Sequence, residues 1–196
     1  MKQKNSPSLA KAKVALLIID IISDFEFEDG KELFTKALPM AYRLAKFKKK
    51  VKKHQIPVIY INDNFSKWQE DFKQMVRYCL KENVRGKEIV KVLKPAQDDF
   101  YILKPKHSAF YSTALNLLLK NLDVKTLILT GVSTDICILF TAGDAYMRDF
   151  RLFIPKDCVA AVKPENSKQA LRYLEEVLKA DIRPANEIDL NDLIEN

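Results

Sequence analysis

The chain has 196 residues, of which 47% are hydrophobic and 30% charged, and this balance predicts one globular domain with a single sizeable core. No apolar run approaches the roughly 18 residues of a membrane span, and the amino-terminal residues lack the apolar segment of a secretory signal, so we expect a cytoplasmic protein with no membrane partner. The three cysteines, Cys79, Cys137 and Cys158, form no C-x-x-C pair, which argues against a disulfide framework or a zinc knuckle.

The formal net charge of +7 is concentrated in two segments, a leading arm over residues 1–12 and a run of lysines and arginines over 43–53. A nucleic-acid patch is one interpretation, and a frayed arm with a solvated helix face is the other. The chain contains no RNA-binding, zinc-finger or interleaved aromatic pattern, so we expect no nucleic-acid partner. We predict a flexible basic arm over 1–12 and a single domain over 13–196.

Short apolar runs that predict strands alternate with longer stretches of helical spacing. The predicted strands are 14–20, 57–63, 100–104, 125–131 and 151–155, with a short sixth strand near Asp181–Arg183. The first and fourth runs are continuously apolar, which is typical of strands buried on both faces. Strands that alternate with helices indicate an α/β domain with a parallel sheet covered on both sides.

Apolar residues at helical spacing separate these strands. The predicted helices are 31–53, 68–81, 112–122, 136–149 and 164–180. Pro39 predicts a kink or a restart in the first helix, and Ser112 or Thr113 is the expected cap of the third. The variable segment 64–98, which carries Trp68, is the candidate lid or pocket wall.

Three reactive side chains fall where predicted strands end. Asp20 ends the first strand, Lys104 ends the third, and Cys137 lies in the first helical turn after the fourth. The carboxyl ends of parallel strands share one rim, where ligands bind. There the helix amino terminus and Lys104 are expected to favour a thiolate, and Asp20 is placed to take the thiol proton. A helix cap, a surface lysine and a small core residue remain the structural interpretations of the three.

The sequence around each of these residues carries a recognisable motif. VALLIIDIISDF contains Asp20, LKPKHSAFYSTAL contains Lys104, and LTGVSTDIC ends at Cys137. From about residue 13 to 180 the chain resembles the isochorismatase-like cysteine hydrolases, a superfamily that includes nicotinamidases and N-carbamoylsarcosine amidase. The resemblance implies that Asp20 transfers protons, that Lys104 rather than Lys106 is the cation, and that Cys137 is the nucleophile. We therefore expect a three-layer α/β/α domain with a mostly parallel six-stranded sheet in Rossmann-like order.

The resemblance also implies a cis peptide between Val132 and Ser133, which would aim the Ser133 N–H at the same point as the Cys137 N–H and form an oxyanion hole. Candidate substrate-binding walls are aromatic, and core packing is the alternative for each: Phe25, Trp68 and Phe110. Relatives of this kind are commonly oligomeric, so a homo-oligomer is expected.

Two departures from the family pattern bear on chemistry. Ile22 stands where many relatives carry Gln two residues after the catalytic Asp. Metal-dependent nicotinamidases carry Asp-x-His after the second strand, where this chain has Asp63-Asn64-Phe65, and neither His54 nor His107 supplies the missing ligand by position. We therefore expect no metal and no cofactor, and nicotinamide is a weak substrate hypothesis.

These observations predict a cysteine hydrolase that cleaves an amide or carbamoyl C–N bond of a small molecule through a thioester intermediate. The alternatives are the vinyl-ether hydrolysis of the family's isochorismatases and a catalytically silent binding protein of the same fold. The identity of the substrate is left open by the sequence.

Overall fold

The computed structural model describes residues 10–63 and 71–195, and within them six strands form one sheet in which every pairing is parallel. The strands are β1 (Val14–Ile19), β2 (Val58–Asp63), β3 (Phe100–Lys104), β4 (Thr126–Val132), β5 (Arg151–Phe153) and β6 (Val159–Ala160). Their order is β3-β2-β1-β4-β5, with β6 pairing with the end of β4. The predicted α/β class and Rossmann-like order are confirmed for the five main strands.

The prediction of a sixth strand near Asp181–Arg183 is wrong. Asp181 makes only an isolated bridge to Phe153, and β6 lies earlier in the chain, where it pairs with Gly131 and Val132. A strand of two residues is too short to leave an apolar run or an alternation in the sequence, so periodicity could not locate it.

Helices cover both faces of the sheet. They are α1 (Gly30–Lys53), α2 (Phe72–Cys79), α3 (Lys87–Val92), α4 (Leu115–Leu122), α5 (Leu139–Tyr146), α6 (Pro164–Glu176) and α7 (Leu190–Glu195), with a π-helical turn over Thr134–Ile138 immediately before α5. None of the helices in the described ranges has the length and apolar character needed to cross a membrane.

Two hydrophobic clusters, one on each side of the sheet, show why β1 is continuously apolar. Leu16 and Ile18 pack into a cluster with α1 and α3, whereas Leu17 and Ile19 pack into a cluster with α4, α5 and α6. Because successive side chains of a strand point to opposite faces, both sets must be apolar when helices lie on both sides. The three-layer arrangement follows directly.

Several predicted helix boundaries shift. α1 continues through Pro39 as one helix, and the predicted helix 68–81 corresponds to α2, with α3 following separately. α4 begins three residues later than predicted, at Leu115, whose amide donates to the Thr113 hydroxyl. α7 was not predicted from the sequence.

The predicted arm over 1–12 lies mostly outside the described residues. Its last two residues are attached to the end of α4: the Ala12 amide donates to the Leu122 carbonyl at 2.8 Å, and the Lys11 ammonium donates to the Asn121 carbonyl at 3.0 Å. Packed structure therefore begins slightly before the predicted boundary at residue 13.

Candidate active site

The three predicted reactive side chains meet at the carboxyl end of the sheet. Lys104 ends β3, Asp20 follows β1, and Cys137 lies in the π-helical turn that follows β4. The Lys104 Nζ lies 2.8 Å from Asp20 Oδ2 and 3.6 Å from the Cys137 Sγ. The Cys137 thiol and the Asp20 carboxyl are close enough for each to shift the pKa of the other. We refer to these three residues as the trio.

β2 lies between β1 and β3 and links two members of the trio. The Asp63 amide, at the end of β2, donates to Asp20 Oδ1 at 2.7 Å, and the Asp63 carboxylate lies 3.9 Å from the Lys104 Nζ. Asp20 itself has a left-handed backbone with φ of 51°, and its amide donates to the Ile61 carbonyl. The carboxylate is thus held in place from the neighbouring strand.

Lys104 is a completely buried lysine, with 0% of its side chain exposed. Its ammonium also donates to the Lys106 carbonyl at 3.1 Å. Burial alone would lower the pKa of this ammonium, but the neighbouring Asp20, Cys137 and Asp63 outweigh burial, and its pKa is raised. The site therefore contains a permanent positive charge next to the thiol.

Asp20 is a stronger base than an ordinary aspartate. Burial raises its pKa, and the attraction of Lys104 and the hydrogen bonds from Cys137 and Asp63 oppose that shift only in part. A raised pKa makes this carboxylate a better proton acceptor than an ordinary aspartate.

Cys137 differs from the sequence-based expectation of a resting thiolate. Burial, followed by the negative charge of Asp20, raises the pKa of its thiol to about 12, and Lys104 lowers it only in part. The helix start and the lysine were correctly placed, but the carboxylate at the same point offsets their effect. At neutral pH Cys137 is therefore a thiol beside the Lys104 ammonium.

The end of β4 brings its backbone close to β1. Gly131 has φ of 112°, and a Cβ at this position would lie 2.1 Å from the Ile19 carbonyl oxygen, so only glycine fits. The peptide bond between Val132 and Ser133 is cis. Beyond it, the Ile138 amide donates to the Ser133 carbonyl and closes the turn that carries Cys137.

A pocket of about 420 Å³ opens above the trio. Asp20 and Cys137 lie in its lining, and Lys104 lies beneath the lining rather than in it. Its other described walls come from the loop after β1, from the turn after β4, and from single residues elsewhere: Ser23, Phe25, Phe27, Glu28, Asp29, Leu33, Asp63, His107, Val132, Ser133, Asp135, Ile136 and Val162.

The three predicted aromatic walls have different outcomes. Phe25 lines the pocket, although its ring is otherwise fully buried. Phe110 is not in the lining: its ring packs against Phe150, with the Arg148 guanidinium 4.9 Å from its centroid. The sequence could not show which way this ring points. Trp68 lies outside the described residues.

Sequence reasoning missed Phe27, Leu33, Ile136 and Val162 as pocket walls. Phe27 belongs to the same loop after β1 as Phe25, so its position after a strand end was the available signal. Val162 follows β6, which the sequence pattern did not reveal.

Potential metal ligands are not grouped in the part of the chain that the structure describes: no set of three or more His, Cys, Asp or Glu side chains there is placed to hold a metal ion. His107 lines the pocket and contacts the Phe140 ring, with centroids 5.7 Å apart.

Comparison with known proteins gives a consistent set of relatives. A family model described as the Isochorismatase domain matches residues 14–182. The isochorismatase family protein YaaI of Bacillus subtilis is 42% identical over 180 residues, which cover 92% of this chain and 98% of that protein. Enterobactin synthase component B of Escherichia coli is 31% identical over 156 residues, covering 73% of this chain but only 54% of the relative.

Solved structures agree with the sequence relatives. N-carbamoylsarcosine amidase from Thermoplasma acidophilum superposes with a TM-score of 0.69 at 25% identity, covering 90% of this chain and 99% of that one. The pyrazinamidase/nicotinamidase of Streptococcus mutans superposes with a TM-score of 0.68 at 28% identity, covering 86% of this chain and 99% of that one.

Proposed function

Because the chain belongs to the isochorismatase family of hydrolases, we propose that it hydrolyses a C–N bond of a small molecule, in an amide or carbamoyl group, with Cys137 as the nucleophile. The observation that carries the proposal is the position of one pocket-lining thiol, which lies 3.6 Å from the Lys104 ammonium and beside the Asp20 carboxyl. The similarity to an amidase and to a nicotinamidase supports the same bond type.

The first step transfers one proton inside the trio. As the sulfur attacks the substrate carbonyl, Asp20 takes the thiol proton, and Lys104 remains positively charged beside the reacting atoms. Before attack the trio contains one carboxylate and one ammonium, and after the transfer it contains a neutral carboxyl and the same ammonium. The thiolate therefore forms only as it reacts, in agreement with its raised pKa.

Attack on the carbonyl creates an oxyanion, and the backbone amides of Ser133 and Cys137 are the proposed donors to it. Ser133 and Cys137 both line the pocket. A donor of this kind typically contributes about 3 kcal/mol of transition-state stabilisation. The intermediate then collapses: the C–N bond breaks, Asp20 returns its proton to the leaving nitrogen, and a thioester remains on Cys137.

Water completes the cycle. Asp20, again a carboxylate, removes a proton from water as the water oxygen attacks the thioester carbonyl. The C–S bond breaks, the acid product leaves, and the proton on Asp20 returns to the sulfur. The route requires no metal and no cofactor.

Two other functions give different results in the same test. Vinyl-ether cleavage would not use a sulfur nucleophile, so it would leave Cys137 without a chemical role. A silent binding protein would have no reason to hold a buried ammonium beside a thiol, where charge burial is costly.

The test is a panel of small carboxamides, carbamoyl compounds and isochorismate, assayed for release of ammonia, amine or pyruvate. We expect turnover of amide or carbamoyl compounds, and its loss in Cys137→Ala. Cys158→Ala is the matched control, because Cys158 is buried outside the pocket lining. Full activity in Cys137→Ala, or turnover of isochorismate alone, would refute the proposal.

A further inference from the structure

The lining of the pocket is unusually rich in carboxylates for a chain with a net charge of +7. The charges of Asp20 and Lys104 offset each other. Beyond them the described lining contains Asp63, whose carboxylate lies 3.9 Å from the Lys104 Nζ, and three further acids, Glu28, Asp29 and Asp135. His107 is the single side chain of the described lining that can become cationic. Bound molecules therefore meet an excess of negative charge.

Many acids of this chain form ion pairs with a lysine or arginine, but three of the pocket carboxylates form none with the described residues. Within residues 10–63 and 71–195, no lysine, arginine or histidine forms an ion pair with Glu28, Asp29 or Asp135. The Asp135 carboxylate accepts hydrogen bonds from the neutral Ser133 hydroxyl and Asn166 amide. Among residues 10–63 and 71–195, no cationic side chain pairs with these three acids to neutralise their negative charge.

Aromatic rings stand beside the same acids. Phe25 and Phe27 stack with centroids 6.3 Å apart at an interplanar angle of 29°, and 45% of Phe27 is exposed although it is a large apolar residue. The face of an aromatic ring attracts a cation, and more strongly when water is partly excluded. Acids and ring faces in one pocket favour the same kind of ligand.

We propose that the substrates of this site are small amides or carbamoyl compounds that carry a positive charge, such as a protonated amine, apart from the bond that is cleaved. The proposal rests on the proposed C–N hydrolysis. Cys137 attacks the carbonyl, while Glu28, Asp29 and Asp135 attract the cationic group and the exposed Phe27 ring contacts it. An anionic substrate of the same size would be repelled, because the described lining residues include no lysine or arginine that could attract it.

The experiment uses three amides that share one ring and differ in charge: 4-(aminomethyl)benzamide, 4-methylbenzamide and 4-carbamoylbenzoate. We expect kcat/KM to fall in that order, by about tenfold or more between the cation and the anion, because several partly exposed charges each contribute a modest amount. High ionic strength should reduce the preference.

Glu28→Gln tests the origin of the preference. The ratio of kcat/KM for the cationic amide to that for the neutral amide should fall about two- to fivefold. Glu176→Gln is the matched control, because Glu176 lies at the far end of α6 and pairs with Arg172 on the surface. This control should leave the ratio unchanged.

Equilibrium binding of the same three amides to Cys137→Ala separates the two proposals. If the native enzyme hydrolyses neither these three amides nor any amide or carbamoyl compound of the wider panel, but the cation still binds most tightly, the hydrolytic proposal fails and the charge preference stands. If all three are hydrolysed with equal kcat/KM, hydrolysis stands and the charge preference fails. Tighter binding of the anion, or no binding of the cation at millimolar concentration, also overturns it.

Discussion

Two lysine–aspartate groups occupy opposite ends of the sheet. At the carboxyl end, Lys104 lies 2.8 Å from Asp20. At the amino end of β3, Lys48 lies 2.6 Å from Asp99, and Lys52 contacts the same carboxylate at 2.9 Å. The distances are similar, but the surroundings of the two groups are different.

The amino-end group is surrounded by structural partners. Lys48 also donates to the Tyr60 hydroxyl, the Tyr60 hydroxyl donates to the Leu93 carbonyl, and the Asp99 carboxylate accepts from the Ala96 amide. These contacts attach α1 to the segment before β3. Part of the lysine run in α1 thus has a role in packing.

The carboxyl-end group has a thiol and a pocket as its neighbours. Here the ammonium is completely buried and the carboxylate has a raised pKa, whereas the lysines of the amino-end group keep some exposure. An ion pair is therefore informative about function when a reactive group and an accessible cavity accompany it.

Of the variants that compare the two lysine–aspartate groups, Lys104→Met should cause the largest loss of activity. It removes the buried positive charge while keeping a side chain of similar length. We expect kcat/KM for an amide substrate to fall by about 10²- to 10⁴-fold, because the developing negative charge on sulfur and oxygen loses its nearest cation. Steady-state kinetics measure the loss, and circular dichroism verifies the fold.

Lys48→Met is the matched control at the other end of the sheet. It should keep kcat/KM within about twofold but lower the free energy of unfolding by about 1–3 kcal/mol, since the buried Asp99 loses one of its two cations. Urea denaturation measures this change. Equal losses of activity in both variants would remove the distinction between the groups.

The reactivity of Cys137 with iodoacetamide should show a smaller, pH-dependent effect. Its pKa is raised to about 12, so the thiolate fraction is small at pH 7 and rises about tenfold per pH unit below that pKa. We expect slow labelling at pH 7, a steep increase towards pH 10, and faster labelling at neutral pH in Asp20→Asn, because Asp20 raises the thiol pKa.

Peptide mapping would assign that label among the three cysteines. Rapid labelling of Cys137 that does not change between pH 6 and 9 would contradict the protonated resting state and restore the expectation drawn from the sequence. Slower labelling in Asp20→Asn would contradict the proposed effect of the carboxylate on the thiol.

The sequence was sufficient to predict where the trio lies. The apolar runs stop at Asp20 and Gly131, and Lys104 ends a shorter run, so a parallel sheet had to bring these strand ends to one rim. Because both faces of β1 are buried, its sequence is continuously apolar, and this apolar run predicted the three-layer arrangement.

Properties that depend on three-dimensional surroundings could not be predicted. The protonation state of Cys137 follows from burial and from a carboxylate that is distant in sequence. The direction of the Phe110 ring depends on how its loop packs against Phe150. Val162 became a pocket wall through β6, whose two residues carry no periodic signal.

The most direct test of the central claim is to search for a covalent intermediate on Cys137. Enzyme quenched with acid during turnover of an amide should carry the mass of the acyl group on the peptide containing Cys137, and not on the peptides containing Cys79 or Cys158. Absence of any added mass, together with continued turnover by Cys137→Ala, would contradict the account.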